Sequence, residues 1–270
     1  MPTTYTGRLA PSPTGLLHLG HARTFWIAHE RAKEGTLWLR DEDLDPHRSR
    51  PDFATAMRED LHWLGITWQH EAKQSDRLDL YRHAMQQLLA TGYAYPCHCS
   101  RRDLAQSVAA PHDDTDDEPL YNNRCRPTTP EPWALSPGPS LNYRFRIPAT
   151  DPITFTDRHA GPQSFTPGKD FGDFIIWRKD NLPSYQLACT VDDADMRITE
   201  VVRGRDLLKS TARQILLQRA LALPTPTYFH TDLMRDDQGT RLAKRHDALS
   251  IRSLRESGLT LEELRAQFNL

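Results

Sequence analysis

Two hundred and seventy residues suffice for one large domain or two small ones, with enough chain to bury a real core. Thirty-four Lys plus Arg against 36 Asp plus Glu leave a net charge of −2, which excludes a uniformly basic nucleic-acid binder but not a local basic patch. With 38% hydrophobic and 26% charged residues, no apolar run of membrane-spanning length and no basic-then-apolar leader, the chain reads as soluble and cytoplasmic.

The opening of the chain alternates strand and helix. Thr3 to Ala10 reads as a strand halted by Pro11 and Pro13. Leu19 to Glu34 reads as a helix with Ala22, Phe25, Trp26, His29 and Ala32 on one face and Gly35 as its stop. Thr36 to Arg40 is a second strand. Ser49 and Pro51 open a helix carrying Phe53, Met57, Leu61 and Leu64, and Ser75 opens another carrying Leu78, Tyr81, Met85, Leu88 and Leu89. This order predicts an α/β fold, a doubly wound parallel sheet. From Cys97 to Pro139 the chain turns rich in Pro, Cys and Asp, with an acidic run from Asp113 to Glu118 that reads as a solvated loop. Strands follow at Leu141 to Ile147, Ile153 to Thr156 and Phe174 to Arg178, then a turn at Lys179–Asp180–Asn181. The parallel pattern returns with Tyr185 to Val191 and Ile198 to Arg203, followed by a helix from Asp206 to about Leu223. Two short helices follow Ser250.

Three of the four cysteines lie between Cys97 and Cys125, which in a reducing compartment points to a metal rather than a disulfide scaffold. Three thiolates in so short a stretch suit a closed tetrahedral structural zinc site. Ligand chemistry by itself favours His98 or His112 as the fourth ligand. Cys189 reads as a core residue of a strand.

At the first strand-to-helix junction stands Arg8–Leu9–Ala10–Pro11–Ser12–Pro13–Thr14–Gly15, leading to His18–Leu19–Gly20–His21. Ligands of wound sheets bind at the carboxyl ends of strands, and a helix N-terminus suits phosphate. Gly20 lets a nucleotide lie against backbone. Two imidazoles three residues apart are placed to donate to phosphate oxygens that gain charge in a transition state.

This turn resembles the signature of the class I glutamyl-tRNA synthetase family. Further blocks match in order: Arg40–Asp41–Glu42–Asp43–Leu44–Asp45–Pro46, Pro183–Ser184–Tyr185–Gln186–Leu187–Ala188, Val191–Asp192–Asp193, Val201–Val202–Arg203–Gly204, and Arg241–Leu242–Ala243–Lys244–Arg245. The last is similar to the family's Lys-Met-Ser-Lys-Ser loop, with arginine for its first lysine and Ala243 for its first serine. The resemblance implies L-glutamate held by Arg8, Leu9, Ala10, Pro11, Ser12, Glu42, Tyr185 and Arg203. A second carboxylate calls for guanidinium forks, and the α-ammonium for an acceptor such as Glu42. It implies ATP, with Mg2+, held by His18, Gly20, His21 and Lys244, of which His18, His21 and Lys244 serve catalysis.

Only a short stretch follows Arg241, too little for the helical anticodon-binding region of a conventional tRNA charger. The closer resemblance is to the shortened, queuosine-modifying branch of the family. It implies activation of glutamate without tRNA and its transfer to the queuosine base at the wobble position of tRNA(Asp). It also implies the fourth zinc ligand: Cys97, Cys99, Tyr121 and Cys125 match that branch's site. The implied organisation is 1–95 as the first half of a Rossmann-like catalytic domain and 96–180 as a zinc-binding, acceptor-end-like insertion. Residues 181–245 form the second half with the flexible loop, and 246–270 a short helical segment. A monomer is the default, and Arg101, Arg102, Arg124 and Arg126 are candidates for tRNA contact. Alternatives are a truncated glutamyl-tRNA(Glu) synthetase, a nucleotidylyltransferase, disfavoured by the Arg8 and Arg203 blocks, and a catalytically inactive tRNA-binding paralogue. Lys244→Ala separates the last from a ligase.

Overall fold

A computed structural model describes residues 4–99, 120–135, 141–148, 151–234 and 250–268. In chain order the first elements are β1 (Thr6–Leu9), α1 (Leu19–Arg31), β2 (Thr36–Asp41), α2 (Pro51–Trp63), β3 (His70–Lys73) and α3 (Leu78–Ala90). There follow β4 (Ala94–Cys97), β5 (Asn142–Phe145), β6 (Ile153–Asp157), β7 (Gly161–Phe165), β8 (Ile175–Trp177) and α4 (Tyr185–Asp195). The last are β9 (Glu200–Gly204), α5 (Leu208–Ala220), β10 (Thr227–Thr231), α6 (Ile251–Glu256) and α7 (Leu261–Phe268). Among the described residues no helix is long and apolar enough to cross a membrane.

The chain divides into two compact units: Met1–Asp76 with Ile198–Arg205 and Thr227–Leu270, and Arg77–Arg197 with Asp206–Pro226. The first is a parallel α/β unit. β1 pairs with β2 and β2 with β3, all parallel, while β9 pairs with β10, also parallel. The Thr199 amide donates to the Thr6 carbonyl at 2.9 Å, setting the start of β9 beside β1. The two parallel sheets, β1-β2-β3 and β9-β10, therefore meet at β1 and β9 and wind away from that junction in opposite directions, and the space beyond the carboxyl ends of strands at such a switch is where wound sheets take ligands. Alternation on β1 and β2 sends Leu9, Leu37 and Leu39 into a core with Phe25 and Trp26 of α1, Met57 and Leu61 of α2, Val202 and Ile251. Burying each of these large side chains is worth about 1.5–3 kcal/mol. Gly35 does more than end α1: a Cβ there would lie 2.3 Å from the Tyr5 carbonyl oxygen, which accepts the Thr36 amide that begins β2.

In the second unit β4, β5 and β8 form an antiparallel sheet and β6–β7 a hairpin. The turn at Asn181 forms as expected, with its residue in the left-handed region (φ 62°). One expected strand is a helix: Tyr185–Val191 forms most of α4, opened by Ser184 in extended conformation. Leu187 through Asp193 are all buried, so no polar stripe reveals the helical period, and a short apolar run of this kind looks the same in a buried strand. Cys189 is thus a helical core residue. Asp192 clamps this helix to α3, accepting the Tyr81 hydroxyl at 2.9 Å and Arg77 Nε at 2.7 Å. Arg144 on β5, opposite in facing to Tyr143 and Phe145, is fully buried instead of solvated. β3 escapes the pattern because its mostly exposed His70–Lys73 segment carries almost no apolar residues. The acidic run from Asp113 to Glu118 lies outside the described residues.

Candidate active site and metal centre

The turn between β1 and α1 is fixed by backbone bonds from two later segments. The Glu42 amide donates to the Pro11 carbonyl and the Arg50 amide to the Pro13 carbonyl, each at 3.0 Å. Leu9 and Pro11 are buried, Ala10 is half-buried, and Ser12 projects to solvent. At the start of α1 His18 is the N-cap: its Nδ1 accepts the amides of Gly20 (3.1 Å) and His21 (3.4 Å), while the His18 amide donates back to His21 Nδ1 (3.4 Å). The two rings stack with centroids 3.6 Å apart. Because both Nδ1 atoms accept backbone protons, each neutral imidazole carries its own proton on Nε2. The surrounding protein, and then the His18 charge, lower the His21 pKa to about 3 although the residue keeps solvent-accessible surface. A Cβ at Gly20 would sit 3.1 Å from the His18 ring, so a side chain there would press on the capping imidazole. Ser250 forms a β-bridge with His18, and the Ile251 amide donates to Leu17 O at 2.8 Å.

Arg8 and Arg203 lie on the facing strands β1 and β9, 4% and 5% exposed. Arg8 Nη1 donates to the Val202 carbonyl at 2.9 Å, and Arg203 Nε donates to His230 Nε2 at 3.1 Å. Glu42, just past β2, accepts from fully buried Arg40 at 3.0 Å. The rest of that acidic block holds structure: Asp41 pairs with Arg58, Asp43 accepts the Ser75 amide and hydroxyl, and Asp45 accepts from Arg48. Arg8, Ser12, His18, Gly20, His21, Glu42 and Arg203 all belong to the first unit, near the carboxyl ends of β1, β2 and β9 or in the turn that opens α1. Tyr185 belongs to the second unit, at the first turn of α4 and 37% exposed. Lys244 and its neighbours Arg241, Ala243 and Arg245 lie outside the described residues, as do Arg101, Arg102 and His112. The sequence assigned no part to Arg40, quoted only within its block, or to His230, the side chains that bond to Glu42 and Arg203. The i, i+2 relation of Arg40 to Glu42 along β2 carried a signal for the first; nothing local marked the second.

In the second unit the thiols of Cys97, Cys99 and Cys125 all lie within 4.8 Å of one another, none in a disulfide. Cys99 and Cys125 Sγ are 3.6 Å apart, and the Tyr121 oxygen stands 3.5 Å from Cys97 Sγ and 3.9 Å from Cys99 Sγ. Zinc–sulfur bonds of about 2.3 Å in a tetrahedron imply S···S edges of about 3.8 Å, so this donor set fits a zinc-sized tetrahedral cation. His98, next in chain to two of the thiols, is exposed. Burial raises the Cys99 thiol to about 11 and pushes the Tyr121 phenol up as well. Arg144 backs the cluster, its Nε donating to Cys97 Sγ at 3.3 Å and its guanidinium lying 3.9 Å over the Tyr121 ring.

Comparison with known proteins matches residues 5–269 to the family model for class I tRNA synthetases (E and Q), catalytic domain. The chain is 45% identical to a glutamyl-Q tRNA(Asp) synthetase of Symbiobacterium thermophilum, covering 95% of this chain and 83% of that one. It is 39% identical to a glutamate–tRNA ligase of Aquifex aeolicus, covering 95% of this chain but 55% of the relative. A crystal structure of glutamate-tRNA synthetase from Elizabethkingia anophelis superimposes with a TM-score of 0.76 at 28% identity, covering 94% of this chain and 54% of that one. The chain thus spans about half the length of that solved structure.

Proposed function

This chain belongs to the class I tRNA synthetase (E and Q) catalytic-domain family, a ligase class that uses ATP, and from that premise we propose that it activates L-glutamate as glutamyl-adenylate without tRNA. It then transfers the glutamyl group to the queuosine base of tRNA(Asp). The observation that carries the reading is the pair of buried guanidiniums at the β1–β9 switch point beside a helix N-terminus capped by two stacked imidazoles. The names borne by relatives at 40–45% identity, several of them glutamyl-Q tRNA(Asp) synthetases, favour the queuosine step over charging of a 3′ end.

Arg8 and Arg203 take the carboxylates of glutamate, Glu42 accepts from its ammonium, and Ser12 and the Tyr185 hydroxyl orient it; Leu9, Ala10 and Pro11 form the floor. The α-carboxylate oxygen attacks the α-phosphorus of ATP, the bond to the bridging oxygen breaks, and pyrophosphate leaves. His18 and His21 donate through Nε2–H to the phosphate oxygens as charge shifts onto them, Gly20 lets the nucleotide approach, and Lys244 neutralises the triphosphate with Mg2+. In the second step a queuosine hydroxyl attacks the activated carbonyl, losing its proton as AMP leaves. Cys97, Cys99, Tyr121 and Cys125 would hold zinc, whose role is to cross-link the segments that carry them.

Glutamate-dependent exchange of pyrophosphate into ATP, run without tRNA, tests the reading. Exchange with glutamate and little with glutamine or aspartate, followed by transfer to queuosine-containing tRNA(Asp), is the expected result. Exchange that needs tRNA(Glu) identifies a conventional charger instead, and no exchange from folded protein under either condition leaves a tRNA-binding paralogue.

A further inference from the structure

Three carbonyls of the turn before α1 accept amides from three separate stretches of the chain. Glu42 and Arg50 hold Pro11 and Pro13. The third is Leu17, the residue before His18, whose oxygen accepts the Ile251 amide at 2.8 Å. Ser250 pairs with His18 itself in an antiparallel bridge. This last anchor comes from a stretch far later in the chain, to which the function proposed above gives no part. Ile251 is firmly held. Its side chain is fully buried in the core that contains Leu17 and Leu19. It is the first residue of α6, a position whose amide has no partner within the helix and can bond outward. Ser250 caps that helix, its Oγ accepting the Ser253 amide at 3.1 Å. Two residues of α2 brace it: Glu59 accepts Arg252 at 2.8 Å, and Asp60 lies 3.6 Å from Arg255.

The His18 ring is fixed at two points. Its Nδ1 accepts the amides of Gly20 and His21, which ties it to α1, and the peptide that precedes it is tied to α6 through Leu17. Together these two ties set where the Nε2–H points. A donor to a transition state works only from the right place, and a displacement of about 1 Å can cost about a hundredfold in rate. We propose that Ile251 is a positioning residue for adenylate formation. Its backbone N–H, acting through Leu17, holds His18 where the Nε2–H meets the phosphate oxygens, and its side chain serves only to anchor that amide. The inference rests on the reading of His18 as a phosphate donor.

Proline at position 251 separates the amide from the side chain. The first residue of a helix tolerates proline, whose φ near −65° suits it and whose missing N–H costs the helix nothing. Ser250 already stands at φ −68° and ψ 148°, the extended region favoured before a proline. I251P therefore deletes the bond to Leu17 and keeps a ring of side-chain carbons, whereas I251A keeps the bond and leaves only a methyl. In tRNA-independent pyrophosphate exchange by the full chain, I251P is expected to lower kcat about tenfold or more, with KM for glutamate within about twofold of wild type. I251A should keep kcat within about threefold. Packing by itself predicts the reverse order, because alanine removes more of a core side chain. I251A at least as damaging to kcat as I251P overturns the proposal. H18N keeps a capping acceptor and lacks the Nε2 donor. In that background I251P should cost less than about twofold more, and a full second loss would show that Ile251 acts elsewhere. Should I251P fail to fold, S250A removes only the cap of α6. It is expected to lower kcat about threefold, with S250T restoring it, and wild-type kcat in S250A overturns the proposal. Wild-type protein without glutamate-dependent exchange rejects the functional reading and this inference with it. Active wild type with an unaffected I251P rejects the inference alone.

Discussion

Replacing Asp192 with alanine should cost the second unit about 2–5 kcal/mol. The carboxylate is fully buried, accepts the hydroxyl of fully buried Tyr81 through both oxygens at 2.9 Å, and takes Arg77 Nε at 2.7 Å. Alanine leaves that hydroxyl without its acceptor inside the protein, a loss of about 1–3 kcal/mol. It also strips one partner from Arg77, which retains Asp195 at 2.6 Å and 18% of its own exposure, so the second loss is about 1–2 kcal/mol rather than the 3–5 of a sealed pair. Tyr81→Phe removes a donor and leaves the ion pair, so it should cost only about 1 kcal/mol. Urea titration of wild type, both single variants and the double variant gives the coupling energy, expected at about 1–2 kcal/mol. The D192A melting temperature should fall by roughly 2–4 °C per kcal/mol. A D192A chain within 1 kcal/mol of wild type, or zero coupling to Tyr81, would refute the clamp. The same geometry predicts that D192A, assayed well below its melting temperature, keeps its KM for glutamate. The Val191–Asp192–Asp193 block then marks a helix junction rather than a substrate contact.

Asp60 on α2 is fully buried, and burial raises its carboxyl to about 6 despite Arg255 at 3.6 Å. A folded pKa above the unfolded value means that the native state binds the extra proton, so stability falls as pH rises from about 4 to about 6 and stays low above it. Asp60→Asn should therefore stabilise the protein at pH 7 by about 1–3 kcal/mol, less what the Arg255 contact contributed, with the difference vanishing near pH 4 in paired denaturation curves. Purified protein should carry one zinc per chain by atomic absorption. Cys99→Ser or a strong chelator should remove the metal and lower the melting temperature while leaving ATP binding by calorimetry intact. Retention of tightly held zinc by the serine variant would contradict the assigned ligand set. Gly35→Ala should destabilise by more than the few tenths expected at an open surface site, because the new methyl meets the Tyr5 carbonyl. A thermal melt unchanged within about 1 °C would mean that the two strands separate freely at that point.

Much was legible in the residues themselves. The capping imidazole His18, the halting prolines at 11 and 13, and the spacing of Ala22, Phe25 and Trp26 state the first strand–turn–helix locally. Those signals depend on backbone propensity and on which face is apolar, which a short window contains. The Cys97–Cys99 pair with Cys125 announced in the same way a cluster of thiols able to hold a metal. The tertiary structure decided what no window holds. Tyr185–Val191 hides its helix because Leu187 through Asp193 are all buried, which erases the periodicity that would have shown its shape. Arg144 is buried on the face expected to be wet because a thiol and a phenol ring wait there. His230 meets Arg203 only because the parallel register of β9 and β10 sets the two opposite one another. Sequence dictates which groups are available and what each short segment prefers. Register and burial decide which groups meet, since partner distances and local dielectric exist only once the chain has packed.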